Sequence, residues 1–426
     1  MRVGLPEIKR LKHRAHFLVP VVSTLLTAIN SFLEQIHLGF GVSLHKSLWL
    51  CHVDLTVHFP IEVGMRDIER VEVEVLECSK GEDDSDGRKV HCGGKDFEII
   101  DMYAKDGVTI ILPVFVNDMT LASKSEPAIK SFITQLSQHF KIHDLGPTTQ
   151  LLGIKIDRDH SKHPILLSQR QYCLDILDRF GMADCKPIST PMEPGLCLSC
   201  TQSPQDAQES ATMCQTPYLS AVGALMYLAT TTHPDIAYTI GVLARFNSNP
   251  GWVHWLAVKH LLCYIKGTLD YSIIYSPDPS QPETFITFSD ADHGGCKDTG
   301  CSTGGYVVKM GTGAVFWSSK LQNDVALSTT EAEYMAAVQA GKEIKCMCNL
   351  MHELGMKQLD LCYYWLRDAV QEQAMIPTFV PTTQQAADLL TKPLTTPKVR
   401  EFCQILGLDG SGGVSDLQRC TIRAEY

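Results

Sequence analysis

The chain has 426 residues, enough for two or three domains, and its 44% hydrophobic content can fill their cores. Its aromatic fraction of 8% and charged fraction of 20% are those of an ordinary globular protein. A formal net charge of −11 excludes a histone-like or basic-tail nucleic-acid binder. It leaves room for an enzyme that holds a duplex in a local basic groove beside an acidic metal site.

At the N-terminus, Lys9, Arg10, Lys12 and Arg14 precede an apolar run from Phe17 to Ile29, broken by Pro20, Ser23, Thr24 and Thr27. The run is too short and too polar to span a bilayer comfortably, and it lacks a small-x-small cleavage site. It is read as a buried or degenerate segment. No other stretch is expected to cross a membrane, and an intracellular location, cytoplasm or nucleus, is favoured over secretion. Residues 1–95 show weak periodicity. The acidic stretch Gly81-Glu82-Asp83-Asp84-Ser85-Asp86-Gly87 is a solvated turn; a calcium loop is rejected because Gly93 stands where a closing glutamate belongs.

From Gly107 the pattern sharpens. Val108–Val116 predicts a buried strand, Asn117-Asp118 a turn, and Leu121-Ala122 the start of a returning strand, hence a hairpin. A helix is expected over Glu126–Phe140, with Ile129, Phe132, Ile133 and Leu136 on one face. Short strands follow at Leu151–Ile156 and Ile165–Leu167, then a helix at Gln169–Phe180. Between Pro187 and Pro217 the composition turns to Pro, Ser, Thr, Gln and Cys, which reads as a linker. The sixteen cysteines are scattered; Cys197 and Cys200 form a C-x-x-C followed by Cys214, with no second pair at zinc-ribbon spacing and His233 distant. Free thiols in a reducing compartment are the expectation.

Three amphipathic helices are predicted at Tyr218–Thr231, Asp235–Phe246 and Trp252–Gly267, the first broken and the second capped by His233-Pro234-Asp235. The third sets Lys259 and Lys266 beside Trp252 and Trp255, read as the charged side of a core helix. A strand from Thr284, a Gly-rich turn, strands at Tyr306–Met310 and Ala314–Trp317, and a helix from Thr329 to about Leu354 make a closing mixed α/β domain. After Val399 the chain runs out toward Gly410-Ser411-Gly412-Gly413.

The most informative feature is Phe288-Ser289-Asp290-Ala291-Asp292 together with Ser328-Thr329-Thr330-Glu331-Ala332-Glu333-Tyr334. An apolar strand brings a carboxylate to its end, and an alanine-rich helix carries more carboxylates in its first turns. Gathered acidic oxygens of this kind hold magnesium for phosphodiester chemistry. The plain alternatives are turn chemistry for Asp290 and Asp292 before Gly294-Gly295, and helix-dipole complementarity for Glu331 and Glu333.

Many strings line up in one order: Phe115-Val116-Asn117-Asp118-Met119, Asp144-Leu145-Gly146, Leu151-Leu152-Gly153-Ile154, Leu167-Ser168-Gln169-Arg170-Gln171-Tyr172 and Ser189-Thr190-Pro191-Met192. Then come Val222-Gly223-Ala224-Leu225-Met226-Tyr227 and the arginine-less His233-Pro234-Asp235-Ile236. The two acidic motifs, Trp317-Ser318-Ser319-Lys320 and Ala387-Asp388-Leu389-Leu390-Thr391-Lys392-Pro393-Leu394 complete the set. Over about residues 105–408 this resembles the C-terminal part of a copia-type LTR-retrotransposon polyprotein, reverse transcriptase followed by ribonuclease H, truncated and degenerate.

The resemblance implies an α/β (α+β) chain: a remnant reverse-transcriptase palm hairpin and helical thumb and connection, then an incomplete ribonuclease H-like mixed sheet with helices. It implies a poorly defined region 1–104, a palm and thumb remnant 105–192, a linker 193–217, a helical connection 218–283, a ribonuclease H-like domain 284–408 and a tail 409–426. The family carries Tyr-Val-Asp-Asp at the palm hairpin where Phe115-Val116-Asn117-Asp118 stands here, so Asp118 is the remnant of a polymerase motif whose neighbour Asn117 supplies no charge to magnesium. The fingers and the earlier palm aspartate are not recognisable in residues 1–100. An inactive polymerase follows.

In the ribonuclease H part, Asp290, Glu333 and Asp388 match the family's catalytic and metal-binding carboxylates, with Mg2+ as the implied cofactor and an RNA–DNA hybrid as the ancestral partner. Glu333 is preferred to Glu331 because Glu333-Tyr334-Met335-Ala336-Ala337 fits the family's Glu-x-x-Ala pattern, and residues two apart on a helix point in different directions. The family's strand-borne Asp-Asn-x-x-Ala motif has no counterpart. Here His352–Gln358 runs directly into Leu359–Arg367, so a strand and its aspartate are read as deleted; Asp360 matches a different family position. Three readings compete: an impaired remnant of a Pol protein, an active ribonuclease H, and a non-catalytic nucleic-acid-binding protein that touches phosphates through Lys320, Lys342, Lys345, Lys392 and Lys398.

Overall fold

The computed structural model describes residues 67–74, 98–105, 108–115, 118–123, 125–138, 141–158, 164–276, 285–353 and 378–410. The N-terminal apolar run, the stretch 81–87 read as an acidic turn, Asn117, the junction with Asp360 and the residues beyond Gly410 lie outside them. The chain divides into two compact units: described residues up to Thr149 and from 348 to 353 fall in the first, and those from Gln150 to Met347 and from 378 onward in the second. The expected mixed α/β class holds. No described helix is long and apolar enough to cross a membrane.

In the first unit, β1 (Asp67–Glu74), β2 (Glu98–Lys105), β3 (Val108–Phe115), β4 (Asp118–Ser123) and β5 (Lys141–Pro147) form one sheet in the order β2-β3-β4-β1-β5. The β3–β4 hairpin is the one expected, with Phe115 paired to Asp118. Strands β1 and β2 are new, and they supply the partners that a lone hairpin lacks. Ile110, Ile111, Met119 and Leu121 are buried. The helix α1 (Glu126–Leu136) starts where the Ser125 hydroxyl accepts the Ala128 N–H at 3.4 Å, and it buries Ile129, Phe132 and Leu136. It stops before the expected Phe140.

In the second unit, β6 (Gln150–Leu151), β7 (Ile154–Arg158), β8 (Ile165–Ser168), β9 (Ser272–Tyr275) and β13 (Leu408–Asp409) form a sheet ordered β13-β9-β8-β7-β6. The expected Leu151–Ile156 strand is a hairpin, because Leu152 (φ 51°) and Gly153 (φ 76°) both take the left-handed turn conformation. The Leu152 carbonyl accepts the Tyr227 hydroxyl. The same unit holds α2 (Arg170–Arg179), α3 (Ala207–Cys214), α4 (Tyr218–Thr231), α5 (Ala237–Ala244) and α6 (Trp252–Gly267). The helix expected over Asp235–Phe246 begins instead as a 3-10 turn, Pro234–Ile236. Helix α6 buries Trp255 and leaves Trp252 exposed, and the Lys259 ammonium stacks over both rings at 5.7 and 5.6 Å.

A third sheet, β10 (Phe285–Ala291), β11 (Thr303–Met310) and β12 (Gly313–Leu321), is antiparallel in that order. Strand β12 outlasts its apolar stretch because Ser318, Ser319 and Lys320 stay on the ladder. Helix α5 crosses β12 closely: a Cβ on Gly241 would stand 3.3 Å from the Ser319 carbonyl oxygen. The Trp317 indole donates to the Ala229 carbonyl at 2.6 Å. The long helix α7 (Thr329–Glu353) and the short α8 (Thr396–Ile405) complete the described elements. After α8, Gly407 (φ 75°) turns the chain so tightly that a Cβ there would meet the Thr312 carbonyl at 2.5 Å. Its backbone then ties two sheets together, through Ala314 N–H to Leu406 O and Ile274 N–H to Gly407 O, both at 2.9 Å.

Candidate functional site

Strand β10 brings Asp290 to the sheet's end, where it is only 6% exposed. Its partner across the ladder is Gly305. That glycine is required: a Cβ there would lie 2.7 Å from Leu390 Cβ and 2.8 Å from Thr391 Cγ2. The missing side chain lets the buried 3-10 turn Ala386–Leu390 settle on the sheet, placing Asp388 and Thr391 beside Asp290. The Thr391 hydroxyl donates to Asp290 Oδ2, and Gln385 Nε2 donates to the Ser289 carbonyl at 3.0 Å.

Helix α7 approaches the same strands through small residues. Ala332, Ala336 and Ala340 recur every fourth position and are buried, and a Cβ on Gly304 would meet Ala336 Cβ at 3.5 Å. The N-terminus of α7 is fixed by a reciprocal cap. Ser328 Oγ accepts the Glu331 N–H at 3.1 Å, and the Glu331 carboxylate accepts the Leu327 N–H at 2.7 Å. Glu331 is thus a capping residue. Glu333 lies close enough to the end of β10 for the Asp290 carboxylate and the Ala291 backbone both to act on its carboxyl.

The three carboxylates Asp290, Glu333 and Asp388 therefore converge. Partial burial, then the Asp290 charge, push the Glu333 carboxyl up to about 7. Burial likewise raises Asp388, against the opposing hydrogen bond from Lys392. Lys392 was expected among residues available to phosphate, but its ammonium lies 3.0 Å from Asp388 Oδ1 and 3.3 Å from Asp290 Oδ2. Burial works against that ammonium, yet the two carboxylates outweigh it and hold its pKa above the usual lysine value. Its position four residues after Asp388 is the sequence signal that would have paired them. Lys398 is also engaged, 3.7 Å from Glu401 and over the Phe402 ring at 4.9 Å.

Asp292 is engaged by the neighbouring turn, although the Asp290 and Lys392 charges both reach it. Its Oδ1 accepts the Thr303 N–H, and its side chain fills the space above Gly295, where a Cβ would lie 1.7 Å from Oδ2. That is the turn role weighed for it. In the first unit Asp118 opens β4, opposite Glu72 of β1. The nine cysteines whose side chains are described, Cys197 and Cys200 among them, are free.

The donor set is all carboxylate oxygen, which suits a hard divalent ion such as magnesium and no soft one. As the side chains stand, no group of three acidic, histidine or cysteine residues among those described is arranged to hold a metal ion. Lys392 supplies positive charge there instead.

Residues 92–194 match the family described as reverse transcriptase (RNA-dependent DNA polymerase). The chain is 36% identical over 327 residues to a retrovirus-related Pol polyprotein from transposon TNT 1-94 of Nicotiana tabacum, covering 70% of this chain and 24% of that protein. It is 34% identical over 237 residues to an uncharacterized mitochondrial protein of Arabidopsis thaliana, covering 55% of this chain and 92% of the other. It is 31% identical over 236 residues to the putative transposon Ty5-1 protein of Saccharomyces cerevisiae, covering 55% and 74%. The chain spans about a quarter of the length of the tobacco Pol polyprotein. No solved structure matches it.

Proposed function

The chain belongs to the copia-type retrotransposon Pol polyproteins, and from that premise we propose that it is a remnant of such a protein, with a silent polymerase part and an impaired ribonuclease H part. The convergence of Asp290, Glu333 and Asp388 at the end of β10 carries this reading. In it these three carboxylates are the ancestral ligands of Mg2+ for cleaving RNA in RNA–DNA hybrids. The bound ion would polarise the attacking water and stabilise the leaving oxygen. Asp290, central to the set, would hold it; Glu333, with a carboxyl near 7, would exchange a proton with solvent as ions and substrate enter and leave.

Two departures in the sequence argue for impairment. Asn117 removes a carboxylate from the polymerase hairpin, and Asp118 alone cannot restore its charge. The Asp-Asn-x-x-Ala motif is missing between α7 and Leu359, which takes away a fourth carboxylate.

The test is incubation of the purified chain with a labelled RNA–DNA hybrid and Mg2+ or Mn2+, beside Asp290→Asn. A folded chain that leaves the hybrid intact is the expected result. Cleavage that disappears in Asp290→Asn would make the protein a working ribonuclease H and overturn the impairment. Salt-dependent hybrid binding without cleavage would single out the non-catalytic binder.

A further inference from the structure

We propose that Lys392 is a built-in counter-cation: it holds the Asp290–Asp388 pair together without metal and competes with a divalent ion for that pair. The inference rests on the reading of Asp290, Glu333 and Asp388 as the ancestral ligands. Asp290 and Asp388 are 6% and 4% exposed and share one small space. Two carboxylates crowded into so small a space repel, and a positive charge held beside both offsets that repulsion. The chain itself provides one. The backbone curls so that Lys392 N–H and Thr391 N–H both reach the Asp388 carbonyl, at 3.2 and 3.3 Å. This lays the lysine stem over Asp388 and sets its ammonium 3.0 Å from Asp388 and 3.3 Å from Asp290.

An ammonium at those distances does the electrostatic work of an ion without needing a full oxygen shell. The lysine side chain stays 39% exposed, so a route outward is open to it. A divalent ion binding both carboxylates would have to drive it out along that route. The fold is thereby kept at the expense of metal affinity.

The full-length chain, titrated calorimetrically with Mn2+ and Mg2+, tests this with Lys392→Met, Lys392→Arg and Asp290→Asn alongside. Lys392→Met should bind metal at least about tenfold more tightly than the native chain, the effect of removing one adjacent positive charge. Lys392→Arg should show no gain, and metal should raise the Tm of Lys392→Met more than that of the native chain. If the native chain binds metal through Asp290 but Lys392→Met binds no tighter, the lysine is no competitor and the proposal falls while the ligand assignment stands. If no variant binds metal and Asp290→Asn changes nothing, the ligand assignment falls with it. Should Lys392→Met fail to fold without metal, refolding in Mn2+ decides: recovery that requires Asp290 supports the proposal, and no recovery overturns it.

Discussion

At the scale of single residues, the second unit depends on a charge pair sealed from water. His233 and Asp235 are each 1% exposed; His233 Nδ1 lies 3.2 Å from Asp235 Oδ1, and the Tyr264 hydroxyl donates to Asp235 Oδ2 at 2.7 Å. Burial opposes the imidazolium, but the Asp235 charge and hydrogen bonds from this network outweigh it and push His233 up to about 10. Removing one partner of such a pair leaves the other charged and alone, so Asp235→Asn should cost about 3–5 kcal/mol in denaturant unfolding at pH 7. The sign of the pH dependence follows from the raised pKa. The folded chain keeps a proton that unfolded histidine gives up near 6.5, so this stabilisation is complete below about pH 6.5 and is lost as pH rises through about 10. Native stability should therefore fall over that interval more steeply than that of Asp235→Asn. Equal slopes for the two proteins would refute the ion pair.

At the scale of elements, the site depends on two close approaches that only small residues permit. One is α7 on its alanine stripe; the other is the Ala386–Leu390 turn seated over Gly305. Gly305→Ala forces a methyl group against Leu390 and Thr391 where no room exists, an overpacking worth about 1–3 kcal/mol. The turn should lift and draw Asp388 and Lys392 away from Asp290, lowering both Tm and Asp290-dependent Mn2+ affinity. An unchanged Tm would mean that the turn is not seated on the glycine. The alanine-rich character of α7 was legible in the sequence, and so were α4 and α6, whose ends match the predicted ones. The role of Gly305 was not legible, because its partner turn lies more than eighty residues downstream and no local pattern links them. Strands β1 and β2 escaped for a related reason. Val71-Glu72-Val73-Glu74 alternates over too short a span to stand out, and its partners in β4 and β5 are remote in sequence.

At the scale of the whole molecule, the mixed α/β class and the meeting of Asp290, Glu333 and Asp388 could be anticipated from the order of motifs. The Lys392 bridge between Asp290 and Asp388 could not, since in the sequence it was one of five scattered lysines weighed as phosphate contacts. The structure withdraws two of the five: Lys392 is bound to Asp290 and Asp388, and Lys398 to Glu401 and the Phe402 ring. Lys320 and Lys342 are left from that set among the described side chains, with Lys345 outside them, on a chain whose net charge is −11. A polyanion gains little from long-range attraction to such a surface, because at physiological salt the field decays within about 8 Å. Binding then rests on contacts alone. Each phosphate neutralised adds about −0.9 to the slope of log affinity against log salt, so three contacts give a slope no steeper than about −3. Fluorescence anisotropy of a labelled hybrid in metal-free buffer across a salt series measures this slope directly. A value steeper than about −5 would require a basic array that these lysines do not supply, and would move the nucleic-acid contact to another face of the chain.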